Sequence, residues 1–341
     1  MSLQQVIDAS ITGRGSNRVG DRIDLGKEVI DLDDTLEVAQ SVNGMELRGR
    51  GRATRFRWLG PDDRPVFRFT DGSDCALSDV MVELVNPALT VVQMLDSGGG
   101  PIRSSHNTLR NIFVPDASGK LGTFWLIGGG VDQKNDVMRG DNLDVAGCEI
   151  GLDVEGRQSL NHELTGCQFK GRTAGRIGIR TSNGGSVRVF GGTLIQFRES
   201  AFAIDTRAGV ALTAYGVHVE KCGRLLTAPS PAPPEITTHI VILDGLRWGP
   251  PGEVAADGEI IAYSGGTLVV RGCWFGTGTP KETVYRFRYD TTQSIGDFVF
   301  EDCRVRASNA SGHWPARPPR SVAGSLLYVG TSREPQPMPS Q

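Results

Sequence analysis

The chain has 341 residues and a net charge of −3, with 36 Lys and Arg against 39 Asp and Glu. That balance gives no basic footprint for nucleic acid. Glycine stands at 45 residues, well above average, yet no glycine-every-third run marks collagen, and recurring short apolar runs exclude a disordered chain. No apolar run approaches the roughly 18 residues of a membrane span, so no membrane insertion is expected.

In chain order, LQQVIDA (3–9) is expected to be a short helix that caps the strands after it. The N-terminal stretch MSLQQVIDASITGRG lacks a basic segment followed by an apolar one. A product made in the cytoplasm without a signal peptide is therefore expected. RIDLGKEVIDLDDTLEV (22–38) supplies the first strands, and residues 1–46 together are assigned to the cap.

From residue 47 a frame repeats, as in LSDVMV, LRNIFV, VAGCEI, LTGCQF, VFGGTL, AYGVHV, LDGLRW, VRGCWF and FEDCRV. Its anchors are Gly49, Asp79, Asn111, Gly147, Gly166, Gly191, Gly216, Gly245, Gly272 and Asp302, spaced 30, 32, 36, 19, 25, 25, 29, 27 and 30 residues apart. Two residues before each anchor stands an apolar side chain: Leu47, Leu77, Leu109, Val145, Leu164, Val189, Ala214, Leu243, Val270 and Phe300. Apolar residues recur one and three after it, with Arg50, Gly192 and Arg52 as exceptions. This reads as two period-2 strands joined by a bend at Gly or Asx, residues that tolerate positive φ. A third strand follows in each unit, as in VFRF (66–69), FWLI (124–127), IGIR (177–180), IIAY (260–263) and LLYV (326–329).

Units of this length built only from short strands predict an all-β parallel solenoid of about ten rungs over residues 47–330. Residues 331–341 read as a Pro-rich extended tail. The Pro-rich stretch 228–236 and residues 309–321 read as loops inserted between rungs.

The opening helix, the strands at 22–38 and the rung LRGRGRATRFRW (47–58), with Gly49, Gly51 and Thr54, resemble the pectate-lyase-like superfamily. That resemblance implies a right-handed, single-stranded parallel β-helix. The superfamily hosts lyases, hydrolases and non-enzymatic phage spikes, so it implies fold more than function.

Candidate sites lie in the outward columns. Two residues after the anchors stand Glu149, Gln168, Thr193, His218, Arg247 and Trp274. The neighbouring column carries Phe190, Tyr215, Asp244 and Arg271. An aromatic face beside polar groups is what saccharide binding requires. Gln168, Tyr215, His218, Arg247, Arg271 and Trp274 are the carbohydrate-binding candidates. For acid–base chemistry the candidates are Glu149 with Asp153 or Glu155, and Glu163 beside His162. Asp132, Asp136, Asp141 and Asp144 could ligate calcium in principle but lack the EF-hand spacing, and read as turn residues. No metal site or cofactor is expected.

The cysteines read as small apolar fillers, with Cys148 above Cys167 and Cys273 above Cys303 on successive rungs. The expected function is a virion-associated structural and recognition protein, tailspike-, fibre- or decoration-like. It would be a homotrimer or would partner other virion proteins, and would bind host polysaccharide. The alternative is a lyase or hydrolase acting on an acidic polysaccharide.

Overall fold

The computed structural model describes residues 2–13, 18–98, 104–129, 134–156, 159–183, 185–205, 208–228, 238–249, 259–264, 266–276, 286–290, 298–307, 310–313 and 326–329. The 331–341 tail and the 229–236 stretch lie outside the described residues, as does most of 309–321.

The helix Leu3–Ala9 begins with a reciprocal cap. Gln5 N–H donates to Ser2 Oγ at 3.3 Å, and Ser2 N–H donates to Gln5 Oε1 at 2.7 Å. The helix buries Ile7 against the core. Gln4 Oε1 accepts from Glu37 N–H at 3.0 Å, and its Nε2 donates to the Glu37 carbonyl at 3.3 Å. Glu37 sits on Leu36–Gln40, the first strand of its sheet. A side-chain amide thus pairs the backbone of an edge strand that would otherwise template association.

Beyond the cap the chain is an all-β parallel solenoid. Each turn gives one strand to a leading sheet, bends, gives one to a trailing sheet, and then gives one to a third sheet. Pairing between successive turns is parallel, for example Leu77↔Leu109 on the leading sheet and Phe169↔Leu194 on the trailing sheet. Among the described residues the third sheet has 11 strands, running from Leu36–Gln40 to Leu326–Val329. It contains the segments expected from sequence. It also contains Leu226–Ala228, a strand too short to stand out in the sequence pattern.

The solenoid has about eight turns, fewer than the ten expected. The regular turns, from Asp79 to Gly272, bend at a residue with positive φ, or in one turn at two (Gly191 and Gly192), and close with a parallel third strand. The first expected rung differs. Gly49 is not in the left-handed region, and Gly51 is, at φ 66°. Extra residues then delay the trailing strand to Arg55–Trp58, where Phe56 aligns with Val82. That insertion explains why Arg50 and Arg52 break the apolar columns. At the far end Leu326–Val329 pairs antiparallel with Arg286–Asp290, and Ala310–His313 pairs antiparallel with Arg304–Ala307.

One anchor requires correction. Asn142, at φ 51°, is the bend residue of its turn, not Gly147. Leu109 aligns with Gly140, and Gly140 with Leu164, so Gly140 occupies the place assigned to Val145. Val145 instead aligns with Val114 and Phe169 on the trailing sheet. The spacings of 36 and 19 become 31 and 24.

The reason is packing. A Cβ on Gly140 would meet Trp125 Cζ3 at 2.8 Å and Leu164 Cδ2 at 2.7 Å. The buried Trp125 indole, from the preceding turn's third strand, fills the space a side chain there would need.

The core is one continuous apolar cluster running from Ile7 to Cys303. All six cysteines are free and buried. Cys148 begins the third-sheet strand Cys148–Val154, opposite Leu121, so it does not stack on Cys167. Cys273 and Cys303 do share a column, as the register Trp274↔Arg304 requires. Cys167, Cys273 and Cys303 each donate Sγ–H to a carbonyl of the preceding turn, on Gly140, Leu243 and Val270, at 3.3, 3.5 and 3.6 Å. A small apolar group with a weak donor suits the residue after a bend, where the ladder is interrupted.

Candidate functional site

The outward columns beside the bend are formed by register. Asp144, Gln168, Thr193, His218, Arg247 and Trp274 align one above another on the trailing sheet. Asp144 takes the place expected for Glu149, a consequence of the bend at Asn142. Arg247 places its guanidinium carbon 5.0 Å from the Trp274 ring centroid. On the leading sheet Phe190, Tyr215, Asp244 and Arg271 align in the same way. Arg271 is committed to Asp244 at 2.7 Å. The six carbohydrate-binding candidates therefore lie in two columns on either side of one line of bends.

The Phe190 and Tyr215 rings are stacked, with centroids 5.3 Å apart and planes 10° from parallel. They lie in an open groove of about 450 Å³ lined by Asn161, Ser186, Val187, Arg188, Phe190, Val210, Thr213 and Tyr215. Its apolar lining is open to solvent: Phe190 and Val210 are each more than a third exposed. The polar groups inside are Asn161, Ser186, Arg188 and Thr213. Ser186 Oγ accepts from Asn161 N–H at 2.8 Å and keeps its own proton to donate.

The repeat frame marks the aromatic column but not Asn161, Ser186, Arg188, Val210 and Thr213. These lie three to six residues before their bends, outside the columns that flank the anchors. Strand alternation at the leading-sheet register is the available signal for Arg188 and Thr213.

The carboxylate candidates fall on different faces. Glu149 pairs with Arg176 at 2.7 Å, and Arg176 also holds Glu199 at 2.7 Å. Asp153 is buried and takes a two-pronged contact from Arg180, which also approaches Glu155 at 3.6 Å. Burial pushes the Glu155 carboxyl up; Asp153 adds to this and Arg180 opposes it. These acids border the third sheet.

Glu163 stands outward on the leading sheet, in register between Arg139 and Arg188. His162 points the other way, into the core, where its Nδ1 accepts from Met138 N–H at 3.2 Å. Burial drives its pKa from 6.5 down to about 3, against a smaller upward pull from the Ser159 backbone. Glu163 and His162 therefore cannot act on one substrate.

Asp136 accepts from Leu160 N–H at 3.0 Å, and Asp144 pairs with Lys170 at 2.9 Å. Asp132 lies outside the described residues. Among the described residues no three His, Cys, Asp or Glu side chains converge to hold a metal. No described helix is long and apolar enough to cross a membrane.

No protein-family model matches the chain. No curated protein matches it either.

Proposed function

We propose that the chain is a recognition protein that presents a rigid β-solenoid and binds saccharide in the groove beside the line of bends. The carrying observation is the stacked Phe190–Tyr215 pair, set in an open groove beside the polar side chains of Asn161, Ser186, Arg188 and Thr213. Sugars combine apolar C–H faces with a ring of hydroxyls. Aromatic surface next to convergent hydrogen-bonding groups complements both.

The scaffold favours this reading. Parallel turns fix side chains at strand spacing, so about eight turns rise roughly 40 Å. Rigid display suits recognition, because little side-chain entropy remains to be lost on binding. The Gln168–Trp274 column runs parallel to the groove and gives a longer glycan a second set of contacts.

The virion placement is part of the proposal: a tailspike-, fibre- or decoration-like element, assembled as a homotrimer, engaging host polysaccharide. A rod that displays side chains at fixed intervals suits that role. The lyase or hydrolase alternative would need an acid and a base at one bond. No Asp or Glu lines the groove among the described residues, so recognition without turnover is the reading preferred.

The test is a glycan array probed with the full chain, alongside its mass by light scattering. Binding of a defined set of oligosaccharides without release of reducing ends or unsaturated sugars supports recognition. No binding across the array overturns it. A trimer mass supports the assembly part, and a monomer at micromolar concentration removes it.

A further inference from the structure

We infer that the groove selects saccharides bearing an anionic substituent, a carboxylate or a sulfate, and that Arg188 is the residue that reads it. The inference rests on saccharide recognition in that groove.

Arg188 is exposed and projects outward from the leading-sheet strand Val187–Phe190, two residues before the stacked Phe190 ring. It forms no ion pair among the described residues. Its own register column on the leading sheet runs Arg139, Glu163, Arg188 and Thr213. Glu163 occupies the adjacent register position, yet the two side chains do not pair. Among the described residues the groove thus carries a guanidinium that closes no ion pair, and no Asp or Glu lines it.

A guanidinium presents a planar fork of donors matched to two oxygens of one anion. A neutral sugar would shed water from that fork while offering only hydroxyls in return. An anionic one supplies charge-assisted bonds there while its ring rests against the aromatic pair. Glu163, one turn away and in register between Arg139 and Arg188, weakens the same field.

The experiment titrates full-length protein with matched oligosaccharides in three forms: neutral, carboxylated and sulfated. Wild type, Arg188→Gln, Arg188→Lys and Glu163→Gln are compared at low and high salt. Wild type is expected to prefer the charged forms, more so at low salt. Arg188→Gln should weaken the charged ligands about tenfold or more and leave the neutral one unchanged. Arg188→Lys should restore part of the loss, since it returns charge without the fork. Glu163→Gln should tighten the charged ligands a few-fold. Preference for sulfate over carboxylate, or the reverse, identifies the substituent.

Equal affinity for neutral and charged forms, with Arg188→Gln indistinguishable from wild type, overturns the inference and leaves saccharide recognition standing. Absence of binding to all three forms removes both. Melting temperatures within a degree of wild type confirm that the exposed substitutions do not act through folding.

Discussion

Asn142 donates its Nδ2–H to Asn111 Oδ1 at 2.8 Å, and Asn111 in turn donates to Asp79 Oδ1 at 2.7 Å. All three residues sit at bends with positive φ, on successive turns, and Arg48 closes the series on Asp79 Oδ2 at 3.1 Å. The same short polar side chain that tolerates the bend also ties one turn to the next.

Asn142 therefore has two separable roles. Asn142→Gly keeps the backbone conformation and loses the amide bond, for an expected cost of about 1 kcal/mol. Asn142→Ala also forces a Cβ without a local hydrogen bond into the left-handed region, adding roughly another 1 kcal/mol. Urea unfolding of both variants checks the order. Equal stability of the two would show that the bend is indifferent to side-chain chemistry.

Gly140 tests the packing that displaces the frame. Gly140→Val should destabilise by about 1–3 kcal/mol through overpacking against Trp125 and Leu164. Trp125→Leu alone should also cost stability, by leaving a cavity. Combined, the two should cost less than their sum, since one vacates the space the other needs. Additive losses would contradict the contact.

Fold class was legible in the sequence because burial on two sides of each bend forces apolar columns that repeat turn after turn. That legibility failed locally where a single contact replaced the column. With Gly140 filled by an indole from the third sheet, the slot two before the bend carried no apolar residue although Leu143 and Val145 kept those after it, and VAGCEI offered a fuller match five residues on. The Gln168–Trp274 alignment was legible for the same reason as the fold, namely a fixed register past each bend. The groove was not legible. Its lining joins Asn161, Ser186, Val210 and Tyr215 from different turns and different distances before the bend. Which of them face one concavity depends on three-dimensional curvature.

His162 makes stability pH-dependent. Its pKa is 6.5 when unfolded and about 3 in the folded protein, because burial disfavours the charged ring. Between these values the unfolded state binds the extra proton, so stability rises with pH across that window. The contribution is complete above about 6.5 and is lost as pH falls toward 3, at up to about 1.4 kcal/mol per pH unit. His162→Gln should flatten the slope of urea midpoints between pH 4 and 6. An unchanged slope would assign the acid sensitivity elsewhere.

The cysteines should be chemically silent. Burial pushes Cys75, Cys148, Cys167 and Cys222 up to about 12; the hydrogen bond between Cys273 and Cys303, with burial, raises Cys303, while that bond lowers Cys273, whose burial still keeps reagent away. A thiol reagent at pH 8 should therefore label the folded protein slowly, and all six cysteines should react once it is unfolded in denaturant. Rapid labelling of the native protein would show that the thiol column opens to solvent.

The most direct test of saccharide recognition is calorimetric titration of an array-positive oligosaccharide into wild type, Phe190→Ala and Tyr215→Ala, with Val29→Ala as an exposed control away from the groove. Loss of one ring of a stacked pair should weaken binding about tenfold in each groove variant, corresponding to roughly 1.4 kcal/mol, with the control unchanged. Groove variants that bind as tightly as wild type would contradict the account and move recognition off the Phe190–Tyr215 face.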